Sequence, residues 1–439
     1  MEMRGAKYVA IVGAGAAGLT AAIRAAEAGA LVTLLNAHPK IGLKILMSGG
    51  TRCNVTHGVV TERDYSGGSR NFVARVLRAF PADRAREWIE SLGVELKLEE
   101  TGKYFPASDD AQTVLDALLA RVRELGVEVR SGIRAVRLEP STEGGRWRLG
   151  LQSIASSAAF SSEVVGKGRD VWPLPATEPG ESLDADAVVL ATGGLSFPRT
   201  GSDGAGYALA AALGHTIVPT VPALTPLTAD DPLCPKLQGV TVEAGLTLHV
   251  DGRRAAATRG SFLFTHFGCS GPSALDLSRH WLRADGRARE VSVGFLPDET
   301  EESLRDSWVE SGARSPQLSV RRWLGDRLPD RVVVALCEEV EIEPSHRVSQ
   351  VGRASRRALI DRVLARPLSI TGTLGYEKAE VTAGGVALDE VDPSTLESRK
   401  APGIHLCGEM LDVDGRLGGF NFQWSWSSGT VAGRAAALT

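Results

Sequence analysis

The most constraining feature of the chain is a glycine-rich segment between two short apolar runs near its start. Residues 8–12 and 31–35 are apolar and rich in β-branched residues, which predicts buried strands, and the Ala-rich stretch 19–28 predicts a helix between them. The segment 13–18, Gly-Ala-Gly-Ala-Ala-Gly, joins the first strand to this helix. The three glycines of a GxGxxG in this context allow, in turn, a tight turn, the close approach of a pyrophosphate and close packing of the helix on the strand. The sequence therefore predicts a βαβ unit that binds a dinucleotide, the alternative being a tight turn without a ligand.

The end of the second strand departs from the usual form of this motif. An acidic residue normally stands there and binds the ribose hydroxyls. This chain has Asn36, whose amide can still hydrogen-bond a hydroxyl but carries no charge. We therefore expect dinucleotide binding with weaker discrimination against a 2′-phosphate.

Composition excludes several classes of protein. With 439 residues, 43% hydrophobic and 23% charged, the chain is globular and long enough for two or three domains at about 150 residues each. Lys and Arg number 49 against 53 Asp and Glu, so the chain lacks the basic character of a nucleic-acid binder, and we expect no nucleic-acid partner. The five cysteines form no CxxC pair, which argues against a disulfide framework or a zinc site and favours the cytoplasm. No uncharged apolar run reaches 18 residues, so we expect no membrane span.

Three further glycine-rich segments bear on which dinucleotide is bound. Residues 46–56 form a loop rich in hydrogen-bond donors, and residues 188–194 run from an apolar strand into a glycine pair. Residues 403–423 are glycine-rich and lead into a helix predicted to start near Phe420. A helix N-terminus there would stabilise negative charge on a reduced flavin, and Glu409 suits a ribityl hydroxyl. Each segment could instead be an ordinary polar loop. A nicotinamide enzyme, however, does not need a C-terminal segment that comes back to the cofactor.

Taken together, these motifs resemble the YhiN/BaiN-like flavoproteins, also called aminoacetone-oxidase-family FAD-binding enzymes. The resemblance covers nearly the whole chain, in order. It is carried by GAGAAG (13–18), SGGTRCNVTH (48–57), ATGGLSFPRTGSDGAGY (191–207), LFTHFGCSGPSAL (263–275), VTAGGV (381–386) and GEMLDVDGRLGGFNFQWSWSSG (408–429). It implies an α/β fold: a Rossmann-type FAD-binding domain of the two-dinucleotide-binding flavoprotein type, with an inserted β-rich domain and a small helical domain. The family usually has Glu in place of Asn36 and three glycines in place of Gly49-Gly50-Thr51.

The resemblance also implies where FAD lies. The pyrophosphate would lie on the first glycine motif, the isoalloxazine near 49–54 and 418–422, the adenosine near Thr192 and Gly193, and the ribityl chain near Glu409. No catalytic residue and no metal ligand is assigned. The expected cofactor-binding residues are Gly13, Gly15, Ala16, Ala17, Gly18, Asn36, Lys44, Ser48, Gly49, Gly50, Thr51, Arg52, Cys53, Asn54, Val136, Thr192, Gly193, Gly194, Gly408, Glu409, Gly418, Gly419, Phe420, Asn421 and Phe422.

The remaining sequence predicts how the domains are arranged. We expect a discontinuous FAD-binding domain over 1–222 and 370–439. Alternating runs such as 240–250 predict an inserted β-rich domain over 223–290 with part of 340–370, and helical periodicity predicts a helical insertion over 296–366. Residues 146–187 predict a long hairpin or insertion; they include a Ser/Ala-rich stretch (153–162) and Pro173, Pro175 and Pro179.

Several other residues could carry chemistry, but a structural role is favoured for each. His266 could touch substrate, although a lone histidine is more often structural. Cys53 has no cysteine within five residues, which disfavours a redox disulfide. Asp412 and Asp414 stand in a glycine-bounded turn without histidines, so turn chemistry is preferred to a metal site. Trp424 and Trp426 are interpreted as helix packing rather than substrate stacking.

These observations predict an FAD-dependent oxidoreductase that transfers hydride through flavin N5 to or from a small-molecule substrate. No second GxGxxG follows a predicted strand, and 201–206 has a different spacing, so a nicotinamide donor would have to visit the flavin site transiently. One activity that the resemblance implies is reduction of a conjugated C=C bond with NAD(P)H as donor. The alternatives are a flavin-dependent amine oxidase and a flavin-binding protein without turnover, such as a sensor. The sequence gives no oligomeric state.

Overall fold

A computed structural model describes residues 6–142, 146–154 and 178–438. These residues divide into two compact units: unit 1 comprises the residues up to 222 and from 376 onward, and unit 2 comprises residues 223–375. Most of the Ser/Ala-rich stretch 153–162, together with Pro173 and Pro175, lies outside the described residues.

Helices and strands alternate along unit 1, and unit 2 is richer in antiparallel strands. The helices are α1 (Ala16–Glu27), α2 (Leu43–Met47), α3 (Arg70–Ala79), α4 (Ala82–Ser91), α5 (Ala111–Glu124), α6 (Ala205–Ala212), α7 (Leu233–Lys236), α8 (Pro272–Arg283), α9 (Glu301–Arg314), α10 (Val320–Gly325), α11 (Asp330–Glu339), α12 (Arg353–Ala365) and α13 (Phe420–Leu438). The strands are β1 (Tyr8–Val12), β2 (Leu31–Asn36), β3 (Thr56–His57), β4 (Tyr65–Gly67), β5 (Leu96–Leu98), β6 (Lys103–Pro106), β7 (Glu128–Ser131), β8 (Ile133–Pro140), β9 (Trp147–Ser153), β10 (Glu181–Ala185), β11 (Ala187–Leu190), β12 (Ile217–Ala223), β13 (Leu227–Ala229), β14 (Thr241–Val250), β15 (Arg253–Thr265), β16 (Gly268–Ser270), β17 (Arg289–Gly294), β18 (Arg366–Leu368), β19 (Ile370–Thr373), β20 (Val381–Val386), β21 (Ile404–Leu406) and β22 (Val413–Gly415).

Unit 1 is organised around a five-stranded parallel sheet in the order β21-β11-β1-β2-β7. The central strand β1 is apolar along its length, and Val9, Ala10 and Ile11 are completely buried, as expected for a strand covered on both faces. The helix α1 follows it and leads into β2 at the predicted place. This confirms the predicted βαβ unit and the Rossmann-type α/β fold.

The helices α1 and α13 pack against each other at backbone distance. A Cβ atom at Gly429 would lie 2.5 Å from the carbonyl oxygen of Ala17, and one at Gly433 would lie 2.3 Å from that of Ala21. Only glycine fits at these two positions without moving a helix. The predicted helix starting near Phe420 is thus confirmed, and glycines spaced one turn apart let it approach α1 closely.

Smaller antiparallel sheets surround the parallel sheet of unit 1. β9 and β10 pair as a hairpin extended by β8, which agrees with the hairpin predicted over 146–187 for its described part. β4 pairs with β22, and β3, β6 and β5 form a three-stranded sheet. The first of these pairings joins residues 65–67 to residues 413–415, so it brings the early and late parts of the chain together.

Unit 2 is built on a seven-stranded antiparallel sheet in the order β18-β17-β14-β15-β16-β13-β19. Its core contains the stacked and edge-on rings of Phe262, Phe264 and Phe295. The helices α9 to α12 lie in sequence between β17 and β18, which are neighbours in the sheet. We propose that these helices form the helical insertion and that the strands form the β-rich insertion.

Unit 2 contains a buried charge cluster around Arg366. The guanidinium of Arg366 in β18 donates to Asp231 (Nη1–Oδ2 2.8 Å) and to Glu339 of α11 (Nη2–Oε1 2.6 Å). Arg366 and Asp231 are buried, so either one alone would leave an uncompensated charge in the interior.

None of the helices formed by the described residues is both long enough and apolar enough to cross a membrane.

The contact between α1 and α13 gives a prediction about stability. We expect Gly433→Ala to lower the free energy of unfolding by about 1–3 kcal/mol, because the added methyl group forces the helices apart. Thermal and urea unfolding followed by circular dichroism would measure this change. The matched control is Gly325→Ala at the end of α10, where a Cβ meets nothing within 4 Å. Equal stability of the two variants would contradict the close approach of the helices.

Candidate functional site

The turn between β1 and α1 has the geometry that a pyrophosphate requires. Gly13 adopts φ +107°, and a Cβ there would lie 2.4 Å from the carbonyl oxygen of Ala191. A Cβ at Gly18 would lie 1.7 Å from the carbonyl oxygen of Gly13. At Gly15, in contrast, a Cβ would meet nothing within 4 Å. The outer glycines are therefore required by packing, and the middle glycine borders open space.

The start of α1 supplies hydrogen-bond donors beside this space. Gly15 is the N-cap residue and offers no side-chain acceptor, so the first backbone N–H groups, from Ala16 onward, have no capping partner. These donors and the positive end of the helix dipole attract an anion. The open space at Gly15 and the uncapped helix together fit the pyrophosphate of FAD.

Asn36 holds the glycine-rich turn in place from the end of β2. Its Oδ1 accepts from the backbone N–H of Ala14 (3.2 Å), and its Nδ2 donates to the carbonyl oxygens of His38 (2.6 Å) and Lys40 (3.0 Å). A glutamate could not donate to these two carbonyl groups. The amide of Asn36 therefore makes contacts that a carboxylate at this position could not make.

The loop after α2 contains a run of left-handed backbone conformations. The φ angles are +56° at Gly49, +66° at Gly50, +70° at Thr51 and +61° at Cys53. For residues other than glycine this conformation costs about 1–3 kcal/mol each, most for a β-branched residue such as Thr51. Strain of this kind is concentrated at ligand-binding sites, which supports the prediction that this loop faces the cofactor.

Contacts within the protein hold the strained loop in place. The carbonyl oxygen of Thr51 accepts from Ala111 N (2.9 Å), and the carbonyl oxygen of Ser48 accepts from Cys53 N (3.1 Å). The guanidinium of Arg52 donates to Glu99 (Nη1–Oε1 2.7 Å) and lies 3.9 Å from the ring centroid of Phe105. Arg52 therefore anchors the loop to the neighbouring sheet and is engaged there by protein groups.

Cys53 is completely buried beneath the same loop. Burial raises the pKa of its thiol to about 12, and a hydrogen bond with Ser48 opposes the shift only weakly. Because the thiolate is the reactive form, Cys53 is not suited to redox exchange with a substrate.

The loop meets the C-terminal motif at Asn54 and Gly419. With its amide oriented to satisfy both ends, Asn54 accepts from Gly419 N (3.0 Å) and donates to the carbonyl oxygen of Thr56 (3.1 Å). A Cβ at Gly419 would lie 2.7 Å from both the side-chain amide of Asn54 and the Thr56 carbonyl oxygen. The two motifs that were predicted to border the isoalloxazine are therefore in direct contact.

A cluster of polar side chains forms around Glu409. Its Oε1 accepts from Ser196 Oγ (2.9 Å) and from Thr382 N (3.0 Å), and its Oε2 pairs with the ammonium of Lys44. Lys44 Nζ also donates to Ser196 Oγ (2.5 Å). A Cβ at Gly194 would lie 2.7 Å from Glu409 Oε1. The structure thus brings together the predicted site residues Lys44, Gly194 and Glu409.

The segment after β11 is shaped by glycines as predicted. Gly193 has φ +74°, and a Cβ there would lie 2.9 Å from Ser202 Oγ. Thr192 Oγ1 lies 4.0 Å from Met410 Sδ, next to Glu409. Val136 lies at the register shift between Ala135 and Arg137 in β8.

The side chains at the start of α13 are engaged by the protein itself. Phe420 is completely buried, with its ring stacked on His57 (4.8 Å) and the Arg416 guanidinium 4.1 Å from its centroid. Asn421 exchanges two hydrogen bonds of 2.8 Å with the backbone of Gly415. What this helix start can offer to a ligand is the backbone N–H groups of its first turn, from Phe420 to Phe422.

Sequence reasoning missed Ser196, Thr382 and His57. All three lie inside the quoted motifs, but nothing local to them shows a role. Ser196 and Glu409 are 213 positions apart in the chain, and Thr382 and Glu409 are 27 apart. A hydroxyl next to a glycine pair was the available signal, and it is too common to identify a partner.

The other candidate residues have structural surroundings. Trp424 and Trp426 are buried, and their indole N–H groups donate to the carbonyl oxygens of Gly408 (3.0 Å) and Val55 (2.8 Å). His266 is exposed in unit 2. The described residues contain no group of three or more His, Cys, Asp or Glu that could hold a metal ion.

The environment of the cysteines gives a prediction about reactivity. All five are free and buried, so we expect no reaction of the native protein with Ellman's reagent at pH 8 and release of five equivalents after denaturation. The reaction would be followed by the absorbance, at about 412 nm, of the coloured thiolate that the reagent releases. Rapid labelling of Cys53 in the native protein, identified by mass spectrometry, would contradict the burial of this thiol.

Comparisons with known proteins identify the family. The chain is 34% identical to a protein of Clostridium scindens called 3-dehydro-bile acid delta(4,6)-reductase, and the match covers 98% of both chains. It is 32% identical to a protein of Escherichia coli called ribosomal RNA dihydrouridine synthase, over 95% of both chains. The family described as the HI0933-like protein Rossmann domain matches residues 7–175 and 162–435. The chain belongs to this HI0933-like family of FAD-binding Rossmann proteins, and it is an FAD-dependent oxidoreductase.

Proposed function

We propose that the protein reduces a carbon–carbon double bond conjugated to a carbonyl group, with NADH or NADPH as the electron donor. The observation that carries this proposal is the full-length similarity to two proteins whose names both describe reductions. A bile acid delta(4,6)-reductase and a dihydrouridine synthase act on different molecules, but dihydrouridine is uridine with two hydrogens added across a bond conjugated to a carbonyl. The shared chemistry is the addition of a hydride and a proton across such a bond.

The residues of the site have separable roles in this proposal. Bound FAD would supply hydride transfer at N5 of its ring system. The uncapped start of α1 would bind the pyrophosphate, and the strained loop with the first turn of α13 would border the ring. Lys44 and Ser196 orient the Glu409 carboxylate toward a ribityl hydroxyl. The buried side chains of Phe420 and Cys53 exclude water beneath these elements.

The donor would use the same site as the substrate. The sequence has no second GxGxxG after a predicted strand, so a nicotinamide would reduce the flavin and leave before the substrate enters. Such an order of events gives ping-pong kinetics.

We propose a small molecule as the substrate and the cytoplasm as the location. The balanced charge of the chain and its five free cysteines support these two points. A second candidate substrate is a uracil base in RNA, which the relatives named for dihydrouridine synthesis in Escherichia coli and Haemophilus influenzae favour.

The electron donor can be tested by reducing the flavin directly. We expect the purified yellow protein, mixed anaerobically with NADH or NADPH in a stopped-flow instrument, to lose its flavin absorbance near 450 nm and regain it when a conjugated enone is added. A steroidal 4-en-3-one and a uridine-containing RNA oligonucleotide serve as the two substrate arms. Bleaching by simple amines, but by neither nicotinamide, would support an amine oxidase instead. Absence of bleaching by any donor would leave a flavin-binding protein without turnover.

The cluster around Glu409 gives a prediction about cofactor affinity. We expect Lys44→Met to weaken FAD binding about tenfold, because a half-buried carboxylate loses its cationic partner and its orientation. Titration of the apoprotein with FAD, followed by quenching of flavin fluorescence, would measure the dissociation constant. Lys236→Met in unit 2 is the matched control, since Lys236 pairs with Glu338 on an exposed surface. The role assigned to Lys44 would be wrong if both variants bound FAD like the unmodified protein.

A further inference from the structure

Unit 1 contains a cavity that shares no residue with the expected FAD contacts. Its volume is about 660 Å³, within the range of roughly 300–1,000 Å³ that small-molecule pockets occupy. It lies between the start of α3 and the segment that follows β20. The volume is far larger than a few ordered water molecules need, so the cavity has room for an organic ligand.

The floor of this cavity is apolar. Phe72 of α3 and Leu388 and Val391 of the opposite segment line it, and each of the three is at least nine-tenths buried in the protein. Val218 and Pro393 extend the same lining. Such a floor favours a ligand with an apolar or flat body over a bare inorganic ion.

Three guanidinium groups line the same cavity. Arg75 and Arg78 are exposed side chains on α3, and neither makes an ion pair or a side-chain hydrogen bond with any described residue. The third, Arg399, makes a long ion pair of 3.4 Å with Asp392. Hydrogen bonds with Ser394 lower the pKa of Asp392, and the charges of Arg399 and Arg75 lower it further, so these two guanidiniums act on one region.

Acidic side chains also stand at this cavity. Asp389 is exposed at the cavity, and Asp412 lies in its lining but is buried. With Asp392, which pairs with Arg399, three carboxylates stand near the three guanidiniums, and Arg75 and Arg78 are the two guanidiniums without an ion pair among the described residues. Guanidinium groups bind carboxylates and phosphates through paired hydrogen bonds, and two of these three have no competing partner.

We propose that this cavity is a second ligand site, which binds a small organic anion carrying a carboxylate or phosphate on an apolar or planar body. The anionic group pairs with Arg75 and Arg78, and the body lies on Phe72 and Leu388. The site is separate from the FAD site and does not depend on the reaction proposed above.

The test uses the FAD-loaded protein and the fluorescent anion 8-anilinonaphthalene-1-sulfonate, which combines an aromatic body with one negative charge. We expect saturable binding of about one probe per chain. In the double variant Arg75→Gln/Arg78→Gln we expect a dissociation constant at least tenfold higher. The matched control is Arg70→Gln/Arg123→Gln, which removes two equally exposed and unpartnered helix arginines outside the cavity. The flavin spectrum and the unfolding temperature show that each variant is folded.

Displacement of the probe identifies the source of the anion. Competition by dodecanoate points to an apolar carboxylate, and competition by uridine monophosphate points to a nucleotide; either result supports the proposal. Competition by an RNA oligonucleotide but by neither small anion would show a contact for a polymer backbone and would overturn it. The proposal also fails if the probe binds both double variants with equal affinity.

Discussion

The close packing of α1 against α13 is the contact on which the rest of unit 1 depends. Gly429 and Gly433 let the backbones meet at a distance that any side chain would prevent. The contact fixes the start of α13, and with it Gly419, which lies against Asn54 and Thr56. The turn that can bind a pyrophosphate and the loop that can border a flavin therefore keep their positions through a single interface. Bulky apolar side chains would bury more surface there, but they could not bring the two helix ends so near each other.

The second requirement is electrostatic. Glu409 is a carboxylate at the edge of the interior, and Lys44, Ser196 and the backbone of Thr382 all donate to it. These donors come from three separate stretches of the chain. The cluster therefore ties together α2, the segment after β11 and the start of β20. A change in any donor would disturb the others, since they share one acceptor group.

Much of the fold could be predicted from the sequence, because its main signals are local. The GxGxxG between two apolar runs is a pattern of adjacent residues, and Gly13 and Gly18 have the turn and packing roles that their spacing predicts. The interior of the site was harder to predict. The asparagine at the end of β2 predicts a ribose contact, which stays a prediction, and no pattern indicated that its amide also bonds with Ala14, His38 and Lys40. An aromatic residue at a helix start is compatible with flavin stacking and with core packing, and Phe420 is in the core. The ring on which Phe420 stacks, that of His57, lies hundreds of positions away in the chain, and no local pattern reveals that contact.

The order of strands in the parallel sheet has a consequence for biosynthesis. β21 pairs with β11, but the two strands are separated by the whole of unit 2 and more than two hundred residues. At roughly 5–20 residues per second, the ribosome needs on the order of 10–40 s to make the stretch between them. Throughout that interval the nascent chain carries apolar strands with an open sheet edge, a state prone to aggregation. Unit 2, whose long β14–β15 hairpin joins residues close in sequence, can fold in the meantime. Production of this protein in the cell should accordingly depend on chaperones that shield its early strands until the late ones emerge.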